Sequence, residues 1–140
     1  MNPDRLRSAP NIAIVGSSSP LGKELRDLIE EPVFPAGRVT FLETEEYAGL
    51  LQEFGGEISI TQVLSPAAFA DADVVYFCCD PEVLAAYAAS GAAFPELTVD
   101  MTSTGRPGAL FLSKVTPAAA LRPRGYYINP HPVTLILGRV

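Results

Sequence analysis

The segment from Gly16 to Gly22 has the residue types of a phosphate-binding turn. It reads Gly-Ser-Ser-Ser-Pro-Leu-Gly and stands between a short apolar run and a stretch with helical spacing. Such a turn presents backbone N–H groups to a pyrophosphate, and the N-terminus of the following helix adds its positive dipole. The usual fingerprint has a third glycine inside the turn, where Ser19 stands here. Two interpretations are open: a nucleotide-binding turn, or an ordinary strand-to-helix turn that binds nothing.

An acidic run from Glu43 to Glu46 could recognise a ribose. It holds three carboxylates in four residues. At the end of the second strand of a dinucleotide-binding fold, a carboxylate accepts hydrogen bonds from ribose hydroxyls and repels a 2′-phosphate. The run therefore favours NAD over NADP if either cofactor binds. The alternative interpretation is a solvated acidic loop.

Few side chains in this chain could act as a nucleophile or a base. Cys78 and Cys79 are adjacent in an apolar run, and His131 is the only histidine. Adjacent cysteines rarely form a sound disulfide, and two thiols do not complete a structural zinc site. We therefore expect no metal site. We expect the cysteines to be small residues that pack a strand end, and the histidine to lie in a loop.

The turn needs a strand before it and a helix after it, and the sequence predicts both. Residues 12–15 form a short run with β-branched residues, which is typical of a strand buried on both faces. Apolar residues then recur at helical spacing, with charged residues on the other side. They are Leu21, Leu25, Leu28 and Ile29. The three serines of the turn can cap this helix, and Pro20 suits its first turn.

The rest of the chain alternates between predicted strands and predicted helices. The predicted strands are residues 38–42, 57–63, 73–78, 98–100 and 126–128, and the predicted helical stretches are residues 47–54, 65–69 and 82–90. Asp80 offers an N-cap to the last helix, and Pro81 a first helical residue. This alternation predicts an α/β fold, namely a Rossmann-like doubly wound, mainly parallel sheet with helices on both faces. We expect one domain over residues 11–140, preceded by a flexible arm at residues 1–10.

Composition and charge exclude several classes of protein. The chain has 140 residues, is 48% hydrophobic and carries a formal net charge of −6. It has no basic cluster of the size that nucleic acid requires. No apolar run approaches the ~20 residues that cross a bilayer, and the first ten residues lack the apolar core of a signal peptide. We therefore expect a cytoplasmic protein with no nucleic-acid or membrane partner.

Several segments match one protein family in their order and spacing. They are Asn11 to Gly16 with Leu21-Gly22, then Ala48-Gly49, residues 71–77, residues 99–106 and residues 129–134. Together they resemble the N-terminal nucleotide-binding domain of the aspartate-semialdehyde dehydrogenase family. Residues 99–106 are similar to that family's Val-Ile-Asp-Asn-Ser-Ser-Ala-Phe-Arg segment. Residues 129–134 align with its Asn-Pro-Asn-Cys-Ser-Thr motif.

The resemblance implies NAD or NADP as the cofactor, bound outside the carboxyl ends of the strands. It implies three groups of contacts. We expect Gly16, Ser17, Ser18, Ser19, Pro20 and Leu21 at the pyrophosphate, Glu43 and Thr44 at the adenosine, and Cys78, Cys79, Asp80, Thr102 and Ser103 at the nicotinamide. Arg106 matches the arginine that the family places near its anionic substrate.

The resemblance also bears on catalysis. The family reduces an acyl phosphate to a semialdehyde through a cysteine thioester. Pro132 stands at the cysteine position here, and proline has no nucleophile. We therefore expect an oxidoreductase domain by relationship that has no catalytic residue and does not turn over aspartate semialdehyde alone. The resemblance further implies a piece of a longer two-domain protein that forms a homo-oligomer.

Two other functions stay open. The chain could be a non-catalytic paralogue that serves as a binding or assembly module, which both Pro132 and the missing middle glycine would fit. It could instead be an enzyme recruited to another reaction. That reaction would need a nucleophile or a base, and the sequence offers only Cys78, Cys79 and His131.

Overall fold

The computed structural model describes residues 9–32, 36–102, 110–111 and 125–128. Strands and helices alternate over this part of the chain. In chain order the elements are β1 (Ile12–Val15), α1 (Pro20–Glu30), β2 (Val39–Glu43), β3 (Leu51–Phe54), β4 (Glu57–Ile60), β5 (Gln62–Val63), a 3-10 turn (Pro66–Phe69), β6 (Val74–Phe77), α2 (Pro81–Ala89), β7 (Leu97–Asp100), β8 (Leu110–Phe111) and β9 (Gly125–Ile128). None of the described helices combines the length and the apolar character needed to span a bilayer.

Seven of the strands form one parallel sheet. Their order is β5-β2-β1-β6-β7-β9-β8, and every neighbouring pair is parallel. The chain leaves the central β1 in one direction through β2 and β5, and then returns to β1's other side at β6. The first five of these strands, counted along the chain, lie in the order 3-2-1-4-5 of a dinucleotide-binding fold, in which the direction reverses between the first and fourth strands. The last two are exchanged, so that β9 lies beside β7 and β8 forms the edge. The predicted Rossmann-like, doubly wound sheet is confirmed.

The two helices cover opposite faces of the sheet. Side chains alternate between faces along a strand, and β1 shows this clearly. Ala13 and Val15 belong to a core cluster that includes Leu84 of α2, whereas Ile12 and Ile14 belong to a second cluster. The second cluster includes Ile29 of α1, with Leu21 and Leu25 packed against it. Burying each larger side chain of this kind stabilises the fold by about 1.5–3 kcal/mol.

Residues 47–54, which the spacing of apolar residues predicts as helical, contain a strand instead. In the structure β3 pairs with β4 in an antiparallel hairpin, with Leu51 opposite Ile60. Gly55 and Gly56 join the strands with φ values of 59° and 79°. Two glycines with positive φ match the two-residue hairpin turn whose twist suits its strands. The prediction was wrong because alternating burial and the glycine pair decide the fold of this segment.

The two α-helices begin as the sequence predicts, although their caps differ. Ser19 is the N-cap of α1, and its side chain accepts a hydrogen bond from the backbone of Gly22. Asp80 occupies the N-cap position of α2, but its side chain makes no capping hydrogen bond. Pro81 begins α2, and Gly91 follows it with a φ of 78°. Because β6 pairs with β1, with Phe77 opposite Val15, the residues that follow the two strands lie side by side.

Candidate functional site

The turn after β1 begins at Gly16, which lies against the loop that follows β6. Gly16 has a φ of 82°, a conformation that favours glycine. A Cβ atom at this position would stand 2.6 Å from both the Cα and the nitrogen of Cys79. Since those are backbone atoms, no side chain fits between the two loops. The sheet therefore has a close backbone contact at the point where its strand order reverses.

Gly22 brings the first turn of α1 against the same strand end. A Cβ atom there would lie 2.3 Å from the carbonyl oxygen of Gly16 and 2.9 Å from the Cα of Ser17. Close packing of the helix on the strand is the role of the last glycine in a dinucleotide-binding fingerprint. Both glycines of the segment are thus required by backbone contacts.

Ser19 stands where the fingerprint has its middle glycine. Its φ and ψ are −68° and 158°, an extended conformation that any residue adopts. Its Oγ accepts a hydrogen bond from the N–H of Gly22 at 2.9 Å and donates to the carbonyl oxygen of Cys78 at 2.8 Å. The hydroxyl therefore caps α1 and ties it to the end of β6. The backbone conformation itself does not require a glycine, and the hydroxyl bonds to Gly22 and Cys78.

Glu43, the last residue of β2, reaches the turn through Ser18. The Glu43 Oε1 atom accepts a hydrogen bond from the backbone N–H of Ser18 at 2.8 Å, and a second one from the Ser18 hydroxyl. Hydrogen bonds to a carboxylate are shorter and stronger than those between neutral groups. Glu43 is only 8% exposed. The structure thus joins two residues that the sequence assigned to different parts of the cofactor.

The N-terminus of α1 keeps one unsatisfied donor. Gly22 donates to the Ser19 side chain, and Lys23 donates to the Ser19 carbonyl oxygen at 2.9 Å. The N–H of Leu21 has no acceptor among the described residues. An unsatisfied N–H and the helix dipole together favour an anion at this end of α1.

Two residues behind the turn, Gln52 and Arg26, carry no sequence signal that points to the site. Gln52 of β3 donates from Nε2 to the Oγ of Ser17 at 3.1 Å, and its Oε1 accepts from Nη1 of Arg26 at 2.8 Å. Ser17 has no exposed surface. No sequence signal could have found this contact, because Gln52 is 35 residues from Ser17 and falls in the stretch predicted as helical. Ser17 therefore supports the turn from within.

The thiols at the end of β6 are shielded from reaction. Burial raises the pKa of Cys78 to about 12, and the neighbouring Cys79 adds to the rise. Burial likewise raises the pKa of Cys79 to about 12, and the carboxylates of Asp100, Glu43 and Asp80 contribute despite a backbone hydrogen bond that lowers it. A thiol is nucleophilic as its thiolate. Both thiols are protonated at neutral pH and are poor nucleophiles.

Thr102 lies beside the buried carboxylate at the end of β7. Asp100 has no exposed surface. Its Oδ1 accepts hydrogen bonds from the N–H of Thr102 at 2.7 Å and from the Thr102 hydroxyl at 2.5 Å. Its Oδ2 accepts one from the hydroxyl of Tyr126 at 2.8 Å. Asp100 thus holds Thr102, one of the residues that the family resemblance leads us to expect near a nicotinamide.

Thr44 closes a turn after β2 at the edge of an apolar cavity. Its carbonyl oxygen accepts hydrogen bonds from the N–H groups of Tyr47 and Ala48 at 3.0 and 2.9 Å. The cavity has a volume of about 540 Å³. Its apolar lining comes from β5, from the segment that follows it and from α2, namely Val63, Leu64, Pro66, Val83, Ala86 and Tyr87. An apolar cavity beside a strand end is suited to a flat, largely apolar ring.

Some of the remaining predicted site residues are described by the structure, and the others are not. Pro20 and Asp80 are exposed at the starts of the two helices, and Leu21 is half-buried. Ser103, Arg106, His131 and Pro132 lie outside the described residues. Within the described part of the chain, no three His, Cys, Asp or Glu side chains are grouped to hold a metal ion. Among the described residues, neither thiol of the candidate site is activated as a nucleophile.

Sequence comparison gives one consistent result. The family model for the semialdehyde dehydrogenase NAD-binding domain matches residues 11–120. An aspartate-semialdehyde dehydrogenase of Prochlorococcus marinus is 28% identical over 132 residues, covering 92% of this chain and 38% of its own length. The aspartate-semialdehyde dehydrogenase of Corynebacterium glutamicum is 31% identical over 131 residues. The match covers 89% of this chain and 38% of that protein. The chain therefore spans 38% of the length of these curated relatives.

Solved structures share the fold. Aspartate semialdehyde dehydrogenase II of Vibrio cholerae, solved in complex with ASA, superposes with a TM-score of 0.72 at 21% identity, covering 93% of this chain and 44% of that one. A probable aspartate-semialdehyde dehydrogenase of Pseudomonas aeruginosa superposes with a TM-score of 0.68 at 22% identity. The match covers 86% of this chain and 38% of that one. At this level of identity the similarity concerns the fold.

Proposed function

The chain belongs to the family of semialdehyde dehydrogenase NAD-binding domains, and we propose that it binds a nicotinamide dinucleotide across the carboxyl ends of β1 and β6. Ligands of doubly wound sheets bind where the strand order reverses. The close backbone contacts of Gly16 and Gly22 at that point support this placement. We assign the pyrophosphate to residues 16–21, where α1 begins and the N–H of Leu21 has no acceptor among the described residues.

The contact between Ser18 and Glu43 is the observation that carries the proposal. It holds a carboxylate at the end of β2, beside the turn assigned to the pyrophosphate. A carboxylate in that place accepts hydrogen bonds from the adenosine ribose and repels a 2′-phosphate. Glu45 and Glu46 follow directly and add negative charge. We therefore propose that NAD binds more tightly than NADP.

The apolar cavity beside Thr44 fits the adenine ring. It lies next to the acidic run, with Glu45 at its border and Val83 and Ala86 of α2 on its wall. An adenine ring needs an apolar slot and few polar partners. We assign the adenosine ribose to Glu43 and Thr44, and the adenine to this cavity.

The nicotinamide belongs on the other side of the switch point, at residues 78–80 with Thr102 and Ser103. A bound nicotinamide supplies or accepts a hydride. The residues of this chain position the ring and exclude water. Because the pKa values of both thiols are raised to about 12, Cys78 and Cys79 pack the site and do not attack a substrate.

We propose that the protein is related to oxidoreductases. We also propose that this chain has no aspartate-semialdehyde dehydrogenase activity. Pro132 stands where the family motif has its cysteine. We also propose that Arg106 meets an anionic substrate, that residues 11–140 form the domain after an arm at residues 1–10, and that the complete protein is a cytoplasmic homo-oligomer. The lack of activity can be tested by adding aspartate semialdehyde, phosphate and NAD to the chain. Turnover of the aldehyde that a single substitution in the chain abolishes would overturn it.

A second candidate function is that of a binding or assembly module. It is favoured by the outer face of the β3–β4 hairpin, where Leu51, Ile58 and Ile60 are 61–70% exposed. Exposed apolar patches on soluble proteins often mark interaction sites. This function does not require a cofactor, so the absence of NAD binding would favour it over the first candidate.

The placement of the cofactor can be tested by amide NMR on the ¹⁵N-labelled chain. We expect added NAD to shift the amide signals of Ser18, Leu21 and Thr44, while that of Gly55 at the hairpin tip stays unchanged. Shifts restricted to the hairpin, or no shifts with millimolar NAD, would contradict the proposed site and favour the module.

A further inference from the structure

We propose that Gln52 is a positioning residue for the phosphate-binding turn: from the β3–β4 hairpin, its side-chain amide holds Ser17 and thereby fixes the backbone that leads into Ser18. The inference rests on the proposed function, because it concerns the same cofactor site. Gln52 acts through Ser17 and not by contact with a ligand.

Burial makes the hydrogen bond between Gln52 and Ser17 important. Ser17 has no exposed surface, and Gln52 is 8% exposed. Buried polar groups almost always have a partner in the protein. The Nε2 atom of Gln52 donates a hydrogen bond to the Oγ of Ser17 at 3.1 Å. Without this amide, the Ser17 hydroxyl would lose a donor in a place that water does not reach, so the turn would have to rearrange.

Arg26 sets the orientation of the Gln52 amide. Its Nη1 atom lies 2.8 Å from Oε1 of Gln52. A guanidinium group only donates hydrogen bonds, so it must face the amide oxygen, and this leaves the amide NH₂ for Ser17. One side chain of α1 thus determines which end of Gln52 meets the turn. Helix, hairpin and turn are joined by two directed hydrogen bonds.

The hairpin has few other means of holding the turn. Leu51 and Glu53, on either side of Gln52, are exposed. Phe54 packs edge-on against Phe41 of β2, with ring centroids 6.0 Å apart, and so fixes the end of β3 that lies away from Gln52. The N–H of Gly55 at the hairpin tip donates to Oε1 of Glu30 in α1 at 3.0 Å. Among the described residues, Gln52 is therefore the hydrogen-bonded contact through which the hairpin reaches the turn itself.

A displaced Ser17 would move Ser18, its neighbour in the chain. The hydrogen bonds from Ser18 to Glu43 depend on donor direction, and such bonds weaken steeply when misaligned. Loss of the Gln52 amide should therefore reduce both the anchoring of Glu43 and the affinity for the dinucleotide. We expect NAD binding to weaken about tenfold, which corresponds to ~1.4 kcal/mol.

A double-mutant cycle tests whether Gln52 affects NAD binding through Ser17. The variants are Q52L, S17A and the double variant, and calorimetry measures the NAD dissociation constant at a temperature where circular dichroism shows each to be folded. Ser59→Ala is the matched control, because Ser59 pairs with Gln52 across the hairpin and makes no side-chain hydrogen bond to the turn among the described residues. We expect each single substitution to weaken binding, the double variant to be no weaker than Q52L, and S59A to match the unmodified chain.

Amide hydrogen exchange separates this inference from the proposed function. Measured without cofactor, the Ser18 amide should exchange faster in Q52L than in S59A, at equal overall stability. Equal exchange would overturn the positioning role, as would additive effects of Q52L and S17A on NAD binding. If the unmodified chain binds no NAD, the proposed function fails, and exchange still decides whether Gln52 holds the turn.

Discussion

Ser18 and Glu43 are bonded twice although 25 residues separate them in the chain. The backbone N–H and the hydroxyl of Ser18 both donate to one carboxylate oxygen of Glu43, at the ends of two adjacent parallel strands. The carboxylate is therefore held in place by the turn itself. The position of this carboxylate, on which the proposed preference for NAD rests, therefore depends on the conformation of the turn.

Replacing Glu43 by glutamine should relax the preference for NAD. The E43Q side chain still accepts from Ser18, but it no longer repels a 2′-phosphate. Two unit charges about 4 Å apart interact with ~1 kcal/mol in water and ~4 kcal/mol near a protein surface. We therefore expect the ratio of NADP to NAD dissociation constants to fall about tenfold in calorimetric titrations. E57Q, which changes an exposed charge of the hairpin, should leave the ratio unchanged. An unchanged ratio in E43Q would exclude Glu43 from cofactor selection.

Gly16→Ala should destabilise the fold strongly. An alanine with a φ of 82° costs about 1–2 kcal/mol, and its Cβ would overlap backbone atoms of Cys79. We expect a total loss of ~3 kcal/mol or more in the free energy of unfolding in urea. Gly49→Ala is the control, because Gly49 has a φ of 87° but nothing within 4 Å of the added carbon. Equal losses in the two variants would mean that the close contact at the switch point is absent.

Ser19→Ala should remove the N-cap of α1. Loss of such a cap costs ~0.5–2 kcal/mol, and the carbonyl oxygen of Cys78 also loses its donor. We expect the upper half of that range from chemical denaturation. Ser65→Ala is a matched cap at the 3-10 turn, where within the described part of the chain the side chain bonds only to Ala68. The S65A substitution should lower the free energy of unfolding by less than S19A does. A greater loss in S65A would show that the bridge from α1 to β6 contributes little.

The stability of the fold should decrease in alkaline solution because of the two thiols. Their folded-state pKa values of about 12 lie above the ordinary value of 9.0, so the unfolded chain loses these protons first. The free energy of unfolding is then highest below pH 9 and falls as the pH rises towards 12. We expect a loss of up to about 1 kcal/mol per thiol between pH 9 and 10, and less for the half-buried Cys79.

The control for this pH dependence replaces both cysteines by alanine. Unfolding in urea at several pH values should show a shallower decline in the double variant than in the unmodified chain. Burial also raises the pKa of Tyr76, which contributes with the same sign and remains in both proteins. Identical slopes would mean that the thiols are not shielded.

Local patterns predicted the centre of the fold well. The strand at residues 12–15, the turn at Gly16 and the following helix are specified by neighbouring residues, and the structure has all three. The hairpin was missed because Leu50, Leu51 and Phe54 fit helical spacing, whereas pairing with β4 decides the outcome.

Contacts within the site were less accessible from sequence. The acidic end of β2 was recognised by its position, but its bonds to Ser18 join segments 25 residues apart. The contact of Gln52 with Ser17 joins segments 35 residues apart and has no local signature. Such pairs depend on how the hairpin and the sheet are arranged in space, which a single sequence does not state.

Calorimetric titration of the chain with NAD and, separately, with NADP tests the central claim most directly. The account predicts saturable binding of NAD to one site and clearly weaker binding of NADP. Absence of binding by both at millimolar concentration, or tighter binding of NADP, would contradict it.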